Sequence, residues 1–154
     1  MLCLLLTLNE SLFAFPCAQV VRIVPKIQLR PIPHAPSYIA GLLHYRGGAV
    51  PVVDLCALTV GHPASNLLSS RIILMNYKTK NESPQLLGVL AESVMETVTL
   101  DPAKLSPATV RIEGVSFLGS MISTEKGLIQ LIDPEKIFSD SVREQLFPAA
   151  LSPA

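Results

Sequence analysis

Cys56 and His62 stand six residues apart, and a thiol beside an imidazole is the pairing in this chain that could make a nucleophile and its base. Such a pair needs spatial alignment and a third group to orient the base. Cys56 directly follows the apolar run VPVVDL, so a buried structural thiol is the stronger reading. His34, His44 and His62 fall at intervals of ten and eighteen residues, without HxH or HxxxH spacing. Cys3, Cys17 and Cys56 form no CxxC pair, and their odd number disfavours a disulfide framework. The expectation is therefore no metal, no cofactor and a reducing compartment. Asp54 and Asp133 end two apolar runs, where a turn-forming or capping carboxylate belongs. Gly47-Gly48 after Arg46 lacks GxGxxG or a GK[ST] ending and reads as a turn.

What remains is recognition. Lys plus Arg equals Asp plus Glu at 12 each, so the chain has no overall field for a polyanion. With no Trp and only eight Phe or Tyr there is little to stack bases on, which sets nucleic acid aside. Charge is uneven, however. Residues 1–46 carry Arg22, Lys26, Arg30 and Arg46 against Glu10. A locally basic face suits an acidic protein surface, and a solvated face with no partner is the bland alternative.

The elements that must position these residues are mostly strands. Apolar runs are short, branched and bounded by turn residues, which predicts strands at 2–8, 12–15, 20–24, 48–54, 71–76, 86–90, 94–100, 117–122 and 127–132. The opening MLCLLLTL mimics a signal peptide, but no basic residue precedes Arg22 and Asn9-Glu10 ends the run. It is too short to span a bilayer and reads as a buried strand, with no membrane insertion. Thirteen prolines leave room for two short helices, at 35–40 and at 134–146, the second capped by Asp133 with Pro134 in its first turn. Residues 148–154 read as a disordered tail.

The chain also echoes itself. Phe13 to Val24 aligns with Leu87 to Val98, so that Val20 falls on Val94. Ile39-Ala40-Gly41 aligns with Phe117-Leu118-Gly119 at an offset of 78, and the run from Gly48 to Asp54 with the run from Gly127 to Asp133 at 79. Units of this size bury little core alone, so two small barrels packed face to face and folding together are expected.

Residues 36–55, PSYIAGLLHYRGGAVPVVDL, resemble the signature of the CheW-like family, adaptors that couple chemoreceptors to the CheA histidine kinase. Pro36, Tyr38, Ile39, Gly41, Arg46, Gly47, Pro51, Val52, Val53, Asp54 and Leu55 carry the likeness, which extends over about residues 1–139. His44-Tyr45 replaces the family's Asn-Leu, Cys56 its Arg, and Arg22 stands where many members carry an acid.

The resemblance implies an all-β fold: two five-stranded SH3-like barrels intertwined in one domain, residues 1–147, with short helices including one at the C-terminus. It implies a cytoplasmic, non-enzymatic scaffold whose partners are a chemoreceptor cytoplasmic tip and the regulatory domain of a CheA-type kinase. Val20, Arg22 and Arg46 are the candidate residues of a receptor-facing groove, with the first two on the strand beside Arg46. Bracing of its own loop is the competing role for Arg46, and core packing for Val20. Gly41, Gly47, Pro51 and Asp54 are motif residues of structural purpose. Competing functions are a small thiol hydrolase built on Cys56 and His62, and a ligand-sensing module using the groove between barrels.

Overall fold

The computed structural model describes residues 1–78, 84–107 and 117–138. In chain order the elements are β1 (Leu2–Leu8), β2 (Ser11–Pro16), β3 (Val20–Pro25), β4 (Ile39–Tyr45), β5 (Gly48–Asp54), a helix α1 (Leu55–Val60), β6 (Arg71–Lys78), β7 (Pro84–Ala91), β8 (Ser93–Thr99), β9 (Leu118–Thr124) and β10 (Gly127–Ile132). Single 3-10 turns lie at Cys17–Gln19, Pro102–Lys104 and Pro134–Lys136. The strands form two five-stranded sheets, ordered β8-β1-β2-β10-β9 and β3-β6-β7-β5-β4.

These two orders are one order written twice. In each sheet two antiparallel pairs lead to a parallel pair, β2 with β10 and β7 with β5, followed by a closing antiparallel hairpin. The repeat exchanges its parts: β1 and β2 of the first half join β8 to β10 of the second, and β6 and β7 join β3 to β5. Neither half completes a sheet alone. Val20 pairs with Met75 and Val94 with Leu6, which confirms the predicted equivalence of the two valines.

Past β3, the Arg30 N–H donates to Leu42 O at 2.9 Å and the Leu42 N–H to Arg30 O at 2.7 Å. Past β8, Ser106 makes the matching pair with Met121 on β9. The continuation of one edge strand thus meets the opposite edge strand, which curls each sheet toward a barrel.

Three cores follow from this plan. Leu43, Val50, Val52, Ile72, Leu74 and Leu90 fill one sheet's concave side, and Cys3, Leu5, Ala14, Leu100, Ile122 and Ile129 the other's. Between the sheets lies a larger shared core that includes Leu4, Leu6, Phe15, Ile73, Met75, Tyr77 and Val89. Strand β1 therefore feeds two cores from its two faces, and β6 does the same with Ile72 and Leu74 against Ile73 and Met75. That is why Cys3 to Leu6 are apolar without alternation, like strands buried on both sides. Each fully buried leucine contributes about 2 kcal/mol.

The helix expected at 35–40 does not form. Two turns stand there instead, closed by Ala35 N–H to Ile32 O at 3.3 Å and Ile39 N–H to Pro36 O at 3.0 Å, and β4 begins at Ile39. The burial of Ile39, Gly41 and Leu43 has the period of two that a strand requires, and pairing with β5 overrides the local preference. Over 134–138 the described residues form the 3-10 turn Pro134–Lys136, with Ile137 and Phe138 in a bend; residues 139–146 of the helix expected there, and the tail 148–154, lie outside the described residues. Conversely, α1 went unforeseen, although Asp54 caps its start and Gly61, at φ 83°, its end. The repeat offset of 78 at Ile39 is also corrected. Ile39 pairs with Val53 as Leu118 pairs with Ile132, so Tyr38 and not Ile39 matches Phe117.

Candidate functional site

Tyr45 faces Gly48 across the end of the β4–β5 hairpin, leaving a two-residue turn of Arg46 and Gly47. Their φ angles are 48° and 80°, the left-handed pair that suits the twist of a tight hairpin. Glycine adopts such a φ freely; arginine does so at a cost of about 1 kcal/mol or more. Arg46 is exposed, and its guanidinium carbon lies 5.3 Å from the centre of the Tyr45 ring. A cation over a ring is worth about 0.5–1 kcal/mol at an exposed site. The Tyr45 ring thus steadies the side chain, and the guanidinium donors are presented at the tip of the turn.

The other motif residues build the frame behind this turn. A Cβ on Gly41 would sit 2.6 Å from the Arg30 carbonyl oxygen, and the residue's φ is 144°. Only glycine admits the close approach that joins the two sheet edges. Pro51 is buried in β5, opposite Leu42 and just before the parallel ladder with β7 begins at Val52. The Asp54 N–H donates to Tyr38 O at 2.7 Å. Its carboxylate accepts from the N–H groups of Cys56 at 2.9 Å, Ala57 at 3.3 Å and Ala64 at 2.9 Å, capping α1 and tying down the loop after it.

Cys56 and His62 do not form a nucleophile and base. The thiol is fully buried and donates to Glu92 Oε1 at 2.9 Å, while exposed His62 places Nδ1 3.0 Å from the Pro63 carbonyl oxygen. Burial, aided by the Glu92 hydrogen bond and the Glu92 and Asp54 charges, pushes the thiol up to about 12. It stays protonated and inert at neutral pH. Glu92 is the residue that sequence reasoning missed. Burial alone would raise its pKa, but donors from Cys56, Asn9 and Ser65 outweigh that and bring it down to about 2. It lies where the chain crosses from β7 to β8, and nothing in the string AES signals its burial.

Val20 packs against the shared core and Arg22 is exposed, with a bulge between them. Strands β3 and β4 are not hydrogen-bonded neighbours, as the sequence reading had placed them. They are the two edges of one sheet, and Arg30 with Leu42 joins them at the seam. Arg22, Lys26, Arg30, Arg46 and Arg71 all belong to this second sheet and its connections, where the carboxylates of Asp54 and Glu92 are buried. Among the described residues, then, the second sheet shows solvent mainly positive charge.

A groove of about 670 Å³ lined by residues that include Lys26, Leu29, Ser37, Asp54 and Asn66 opens to solvent, and the Asp54 carboxylate in it is already engaged. Neither an activated group nor an enclosed ligand cavity emerges among the described residues. The CheW-like domain matches residues 2–142, and the chain belongs to the CheW-like family. It is thus a non-catalytic chemotaxis adaptor, a scaffold and not an enzyme. Relatives include a probable chemotaxis protein CheW of Rhizobium etli, 26% identical over 73% of this chain and 71% of that protein. Another is the chemotaxis protein CheW of Treponema pallidum, 22% identical over 90% and 82% of the two chains. Among solved structures, the scaffolding protein TtCheW of Thermoanaerobacter tengcongensis superimposes with a TM-score of 0.78 at 24% identity, over 90% of this chain and 87% of that one.

Proposed function

We propose that this adaptor works in the cytoplasm, binding a chemoreceptor cytoplasmic tip and the regulatory domain of a CheA-type histidine kinase at the same time. An adaptor of this kind acts by proximity: once one partner is held, the second contact forms at a high effective concentration. Val20, Arg22 and Arg46 make the receptor-facing surface, with Gly41, Gly47, Pro51 and Asp54 holding its frame. The observation that carries this reading is the β4–β5 turn, where a positive φ and the Tyr45 ring together fix an exposed guanidinium. A planar fork so held suits carboxylates or carbonyls on a partner. Among the described residues, no helix is long and apolar enough to cross a membrane.

The test is a three-component sedimentation experiment with the receptor tip, the kinase regulatory domain and this chain. A complex containing all three, absent when this chain is omitted, is the expected result. Binding of one partner only, or mutual exclusion of the two, would overturn the reading.

A further inference from the structure

The first sheet closes one of its ends with an ion pair, and the second sheet leaves the matching charge without a partner. In the first, Gly127 faces Thr124 across the β9–β10 hairpin, so the turn consists of Glu125 and Lys126. By register these two match Arg46 and Gly47 of the β4–β5 hairpin. Glu96 on β8 and Arg22 on β3 match as well, each just past a register shift that leaves one extra residue, Met95 or Val21. Lys126 reaches across the end of the first sheet and pairs with Glu96. In the second sheet Gly47 stands where Lys126 does and brings no side chain, and a Cβ added there would have nothing within 4 Å. The strand directions put the start of β3, with Arg22, and the end of β4, with Arg46, at the same end of that sheet. Both arginines are exposed, and among the described residues neither pairs with a carboxylate. Asp54, the one carboxylate among the described residues from β3 to β7, is buried at the far end of β5 from the turn.

Two guanidiniums at one end of a sheet, with no carboxylate of the described chain beside them, call for one from outside. We infer that a carboxylate side chain of the chemoreceptor tip enters between Arg22 and Arg46, giving Arg22 the counter-charge that Lys126 gives Glu96 in the first sheet. The tip that this adaptor selects is therefore one whose docking face is acidic. A tip with lysine or arginine at that place sets like charges together and is rejected, so Arg22 determines specificity as well as affinity. Each guanidinium offers a carboxylate parallel N–H donors, which makes the contact directional. Arg46 is held by its left-handed turn and the Tyr45 ring, and Arg22 stands on a strand paired to β6, so both backbones are ordered before the partner arrives. The inference rests on the receptor-facing surface proposed above and adds the chemistry of what docks there.

The test is calorimetry of the full chain with two probes: the chemoreceptor tip of the sedimentation experiment, and an amide form of it in which the Asp and Glu of the tip face are Asn and Gln. Wild type should bind the amide form about tenfold or more weaker than the parent tip. Arg22→Gln should lose about tenfold toward the parent tip and little further toward the amide form, because both changes remove the same contact. Gly47→Glu places a carboxylate where the first sheet has Lys126, so that the chain supplies its own counter-charge to Arg22 and repels that of the tip. It should bind the parent tip about tenfold weaker than Gly47→Gln, which bears the same strain at φ 80° without the charge. If the Gly47 variants fail to fold, Arg22→Gln and the amide tip decide alone. An amide tip bound as tightly as the parent, an Arg22→Gln chain that keeps full affinity, or equal binding by the folded Gly47 variants would each overturn the acidic tip while leaving the adaptor reading in place. A chain that binds neither tip would overturn both.

Discussion

Glu92 accepts the Cys56 thiol at 2.9 Å, and in the other half of the repeat Glu135, at the place equivalent to Cys56, accepts the side-chain amide of Gln19. Each bond ties the segment just after a sheet's parallel pair to the crossover that carries the chain between sheets. The first clasp reaches further. Glu92 also accepts the Asn9 N–H at 2.7 Å, from the β1–β2 turn of the opposite sheet, and the Ser65 N–H at 3.1 Å.

The ionised form of Glu92 should therefore stabilise the fold. Its folded pKa of about 2 lies below the ordinary 4.5, so the contribution is complete above about pH 4.5 and disappears as pH falls toward 2. Its size is about 3 kcal/mol. Urea unfolding across that window should show a stability loss in the wild type that is reduced in Glu92→Gln, which should itself be less stable at neutral pH. Parallel pH curves for the two proteins would contradict the clasp.

Thiol chemistry should separate the three cysteines. Cys3 and Cys56 are fully buried, whereas Cys17 is partly exposed. A disulfide reagent should titrate one thiol per native chain and three after unfolding. Rapid reaction of Cys56 in the native protein would reopen its chemistry.

Gly41 and Gly47 should respond differently to alanine. At Gly41 a Cβ meets a backbone carbonyl at 2.6 Å, whereas at Gly47 nothing lies within 4 Å and only the φ of 80° resists. Gly47→Ala should cost about 1 kcal/mol, and Gly41→Ala well above that. Denaturant midpoints decide it, and equal losses would mean the seam at Arg30 yields without strain.

The strands were legible because their apolar runs end at turn residues, and the repeat because matching positions keep matching side chains, as Val20 and Val94 do. Helix was expected up to Ala40, inside the start of β4, because that strand declares itself only in its pairing with β5, from Ile39 opposite Val53 onward. The short helix after Asp54 hid behind residues that would also suit a strand. At the candidate site, the capping role of Asp54 was readable from local chemistry, and so was a turn at the glycine pair, although it falls on Arg46 and Gly47 and not on Gly47-Gly48. Glu92 was not, since its donors come from Asn9, Cys56 and Ser65, which meet only in the fold. The pairing of Arg46 with Tyr45 was unforeseen too, although the two are adjacent, because it depends on the left-handed turn.

That turn offers the most direct test of the account, through Arg46→Gly. Glycine relieves the φ of 48° and gives up the contact with Tyr45, two effects of about 1 kcal/mol that oppose each other. Melting temperature should consequently move little. Affinity for the chemoreceptor tip, measured by calorimetry, should fall by about thirtyfold, the loss expected for truncating a central interface arginine. A folded Arg46→Gly protein that binds the tip as tightly as the wild type would contradict the placement of the receptor-facing surface at this turn.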